Sequence, residues 1–118
     1  MKEATLEQWN WVTLMGTQAL LGLVSPNFRS VVLHLDESSW KFEITIRNED
    51  KQDRLAADEI AEQFFLYLSD IRDAIGDGLY LDTTEQVIVS NEDIVLPPQD
   101  TCRVLFLMRE HPIDEDTD

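Results

Sequence analysis

The chain predicts a two-layer α+β sandwich, with two helices covering one face of an antiparallel sheet. Three features lead there. Apolar residues recur at helical spacing between Thr5 and Pro26 and again over Arg54–Ile75. Alternation of period two fills Ser30–Asp36 and Trp40–Arg47. Two further apolar runs, Gln86–Ser90 and Cys102–Met108, complete the order α-β-β-α-β-β. The length, 118 residues, suits one domain, expected over 1–112 with an acidic tail at 113–118.

The first helix opens on Thr5-Leu-Glu-Gln8, the form of a capping box. Trp9, Val12, Gly16, Ala19, Leu20 and Leu23 follow at helical spacing. Gly16 inside the helix points to a close backbone approach to the sheet, and Pro26 is the expected terminator. Trp9 and Trp11 stand two apart and cannot share a helix face, so one is core and the other is not.

Val31, Leu33 and Leu35 alternate with Ser30, Val32 and His34 in the first strand. Trp40, Phe42, Ile44 and Ile46 alternate with Lys41, Glu43, Thr45 and Arg47 in the second. The pair reads as a hairpin with one wet face, and Trp40 as core. Asp53 is the expected cap of the second helix, and Gly76-Asp-Gly78 its end. Region 79–100 carries the weakest pattern: a short strand at 86–90, extended residues at 94–96, then the break Pro97-Pro98. Cys102–Met108 is continuously apolar, as for a strand buried on both faces, or under a helix on one face and a loop or partner on the other.

The charge is segregated. Residues 1–35 hold Lys2, Glu3, Glu7 and Arg29, which cancel, so the whole net charge of -15 lies beyond them. Such a field repels nucleic acid and anionic membranes and draws basic partners. The first segment is interrupted by Gln8, Asn10, Thr13, Thr17 and Gln18 and lacks a basic leader, so neither a membrane span nor a signal peptide is expected; a cytoplasmic protein is.

No catalytic constellation stands out. Cys102 is the single cysteine, so a disulfide within the chain and a cysteine metal cluster are excluded; a buried, inert thiol is expected. Cys102 with His34 or His111 is the one possible thiol–imidazole pair. The four glycines form no phosphate cradle, and the acidic dipeptides lack calcium-loop spacing. No enzyme, metal or cofactor is expected. The sharper feature is the acidic set Glu49, Asp50, Asp53, Asp58, Glu59 and Glu62, which reads as a docking surface for a basic partner.

The string Leu20-Leu-Gly-Leu-Val-Ser-Pro-Asn-Phe-Arg-Ser-Val31 resembles a bacterial family of small acidic proteins associated with polymorphic toxin systems of the contact-dependent growth inhibition and Rhs types. Members of that family are regarded as immunity proteins. The resemblance implies a cytoplasmic inhibitor that binds one cognate toxin domain and blocks it; a monomer is expected, or a homodimer paired through exposed sheet edges. Where the toxin is a nuclease with a basic cleft, carboxylates can stand where phosphates would lie. Within the string a structural role is expected for Gly22, Pro26, Asn27 and Arg29, with Arg29 bonding carbonyls or an acid. A non-neutralising adaptor or secretion chaperone is the alternative.

Overall fold

A computed structural model describes residues 2–108. The expected tail at 113–118 and His111 lie outside the described residues. The elements are α1 (Leu6–Leu20), β1 (Phe28–Leu35), β2 (Ser39–Ile46), α2 (Lys51–Asp70), α3 (Arg72–Ile75), a 3-10 turn (Asp77–Leu79), β3 (Asp82–Val89) and β4 (Cys102–Leu107).

The four strands form one sheet in the order β3-β2-β1-β4. β1 pairs antiparallel with β2 and with β4. β3 runs parallel to β2, so the sheet is mixed and not the antiparallel one expected. The reason is α2. A helix of 20 residues spans about 30 Å, which returns the chain to the start of β2 before β3 begins.

The helices do share one face. Trp40, Phe42, Ile44 and Ile46 of β2 are fully buried there. Trp9 of α1 meets Trp40 edge-on at 5.5 Å between ring centroids, and Phe64 of α2 meets Phe42 at 5.0 Å. Trp40 also donates from Nε1 to the Leu79 carbonyl at 2.9 Å, so its one polar atom is satisfied inside the core.

The capping box forms as expected, with Gln8 N donating to Thr5 Oγ1 and Thr5 N to Gln8 Oε1. The end of α1 differs from expectation. The helix stops at Leu20, where Gly22 takes φ +79°, and Pro26 lies beyond in the following turn. Gly16 faces the sheet: a Cβ there would stand 2.8 Å from Leu105 Cδ1. α2 starts at Lys51, earlier than expected, and its cap is Asp50 and not Asp53; Asp53 N donates to Asp50 Oδ1. Gly76, at φ +84°, closes α3.

The far face of the sheet is not wet throughout. Ser90–Thr101 crosses it as a strap from the end of β3 to the start of β4, and the residues expected to be extended at 94–96 lie within it, outside any strand. Ser30 and Val32, on that face, are buried beneath it. Arg29 is the extra residue of a β-bulge opposite β2. It is 4% exposed and donates from Nη1 to the carbonyls of Ser90 and Glu92 at 2.8 and 2.7 Å. β4 has α1 on one face and the strap on the other, which accounts for its unbroken apolar run.

Candidate functional site: an acidic groove beside the edge strand

The structure divides the expected acidic set. Glu49 is bound by Arg54 through two hydrogen bonds, at 2.6 and 2.7 Å, and that guanidinium holds its carboxyl below the usual range. Asp50 is engaged as the cap of α2. Asp53 is buried, 5% exposed, and accepts from Asn27 Nδ2 at 2.7 Å. That burial takes Asp53 out of any docking surface; its charge is spent on joining the turn before β1 to α2.

Asp58 and Glu62 are different. They stand one turn apart on α2, on the side toward β3, and meet Glu85 of that strand across an open groove of about 550 Å3, with Asp82 at its rim. Ala61 and Phe65 give it an apolar wall, Thr83 and Thr84 line it from β3, and among the described residues no basic one lines it. Glu59 is exposed on α2 beside Asp58 but does not line the groove.

The electrostatics are those of crowded acids. A hydrogen bond with Asp58, then burial, then the charges of Asp58 and Glu62 push Glu85 up to about 7. Glu85 thus keeps its proton to a higher pH than an isolated carboxyl would. A cation entering the groove would replace that proton and relieve the repulsion. Thr83 Oγ1 is buried with no hydrogen-bond partner.

Asp82, Glu85 and Phe65 were not among the expected site residues. Asp82 and Glu85 fall in the polar first half of β3, which lacks the apolar alternation that marks a strand. The available signal was Thr83-Thr84, β-branched residues next to Val87-Ile88-Val89.

The thiol–imidazole pair is brought together. His34 and Cys102 are cross-strand partners on β1 and β4. Leu35 N donates to Thr101 O, so the His34–Cys102 pair falls at a non-hydrogen-bonded position, where facing side chains lie closest. Glu43 Oε2 is 3.7 Å from His34 Nε2. The thiol itself is directed elsewhere: Cys102 Sγ donates to the Pro98 carbonyl at 3.0 Å and ties down the strap. Burial, above all, raises its pKa, the opposite of what a nucleophile needs. Trp9 is core, and Trp11 is 39% exposed on the outer face of α1.

Among the described residues, no group of three or more His, Cys, Asp or Glu is placed to hold a metal ion, and no helix is long and apolar enough to cross a membrane. No protein-family model matches the chain, and no curated protein matches it.

Proposed function

We propose that the chain is a non-enzymatic immunity protein that binds a basic toxin domain through the α2–β3 acidic surface and blocks it. The observation that carries this reading is the convergence of Asp58, Glu62 and Glu85 on one groove, with Asp82 at its rim and no basic residue among its described lining residues. A cluster of that kind is costly alone and favourable against a cation, so it favours a basic partner over an acidic one. The segregated charge and the Leu20–Val31 string support the same reading.

Co-production with the toxin encoded beside it tests the proposal. Rescued growth and a complex that survives purification are the expected results. Continued killing with no complex would sink it. A complex that forms without rescue would assign the chain to the non-neutralising adaptors.

A further inference from the structure

Among the described strands β3 is outermost and is hydrogen-bonded to β2 alone. Ser90 N donates to Ile46 O. Backbone groups alternate in direction along a strand, so Asp82, Thr84, Gln86 and Ile88 also turn theirs toward β2. Thr83, Glu85, Val87 and Val89 turn their N–H and C=O outward, to an edge that no described strand covers.

The same four residues are level with Trp40, Phe42, Ile44 and Ile46, so their side chains rise on the face that carries the helices. A strand laid against this edge would lie about 4.8 Å from β3. Its alternate side chains would rise on that face too, into the groove walled by Asp58, Glu62 and Phe65. Backbone pairing and side-chain recognition therefore fall in phase.

Charge selects the occupant. Acids on a sheet edge guard against pairing with like strands. Asp82 and Glu85 do so against a second copy of this chain, whose own edge carries the same acids. Against a basic strand they attract. We infer that the β3 edge accepts an extended segment of the partner by strand addition, with lysine or arginine at alternate positions seated in the carboxylate groove. The inference rests on the binding reading above and specifies its mode.

The test uses a capped peptide of alternating lysine and threonine, matched in length to β3, and the full chain labelled for amide NMR. Controls are the block isomer of equal composition and charge, and the alternating peptide N-methylated at every lysine or at every threonine. Strand addition predicts shifts and slowed exchange at the Thr83, Glu85, Val87 and Val89 amides. It predicts weaker binding by about tenfold or more for the block isomer and for one N-methylated phase only. Equal binding by all four peptides, or shifts spread over the acidic surface, would overturn the inference.

A second arm uses the cognate toxin. Val87→Pro removes an outward N–H that no described strand uses. An affinity loss of about tenfold in a variant that melts normally supports strand addition. Unchanged affinity with toxin still neutralised overturns it and leaves the immunity reading standing. Should Val87→Pro fail to fold, the peptide arm decides. Peptide addition at β3 with no toxin neutralised would sink the immunity reading and keep the edge as a peptide site.

Discussion

Asn27 donates from Nδ2 to Asp53 Oδ2 at 2.7 Å, joining the turn before β1 to the first turn of α2. The same side chain accepts from Asn48 N and donates to Asn48 O, so one amide braces three segments. Asn27→Ala leaves the buried Asp53 carboxylate without this donor. It should lower the unfolding free energy by about 2–3 kcal/mol, measured by urea denaturation. Glu49→Ala removes an exposed ion pair with Arg54 and an exposed hydrogen bond from Asp50 N, and should barely move the midpoint.

Arg29 fastens the strap. Arg29→Met leaves the Ser90 and Glu92 carbonyls without their charged donor and should cost about 3 kcal/mol. Hydrogen exchange should quicken first in 90–101, before the β1–β2 ladder. Protection lost uniformly across the sheet would contradict the strap's local role.

These two residues show what the Leu20–Val31 string encodes. Asn27 and Arg29 were legible as structural residues, with Arg29 expected to bond carbonyls or an acid; it bonds carbonyls. Their partners, Asp53 and the Ser90–Glu92 backbone, lie 26 and 61 to 63 residues away, a pairing that no local pattern carries.

Gly16 packs against the end of the Leu105 side chain on the edge strand β4. Leu105 is only partly buried and can turn aside. Gly16→Ala should therefore gain helix propensity, about 1 kcal/mol, and return most of it in repacking, leaving the melting temperature nearly unchanged. Gly16→Val presses further into Leu105 and Leu33 and should destabilise by about 1–3 kcal/mol.

The pH dependence follows from Glu85, whose pKa rises from 4.5 to about 7 on folding. Across that window the folded state binds more protons than the unfolded one, so this group's contribution to stability falls as pH rises. It is fully present below the lower value and lost above the higher. Glu85→Gln should abolish this slope, leave stability at acid pH unchanged and raise it at alkaline pH, as read from thermal melts. Binding should run the other way. A cation in the groove displaces the proton, so affinity for a basic partner should climb through the same window.

The core was legible because its patterns are strong. The alternation over Trp40–Arg47 became β2 almost residue for residue, and the capping box became the start of α1. The direction of β3 was not legible. It is set by where α2 delivers the chain, a property of helix length against sheet length. The cap of α2 went to Asp50 because Asp53, one turn on, is drawn inward by Asn27. Half the groove was visible on α2, at Asp58 and Glu62. The other half was hidden because an edge strand can be polar on both faces, and Asp82–Glu85 then resembles a loop.

The most direct test of the central claim is the association rate with the cognate toxin at low and high salt. The chain is compared with a variant carrying Asp58→Arg, Glu59→Arg and Glu62→Arg. The acidic surface predicts fast association that falls steeply with salt, and a variant slowed about tenfold or more at low salt with its salt dependence flattened. A variant that associates as fast as the natural chain at low salt would contradict it.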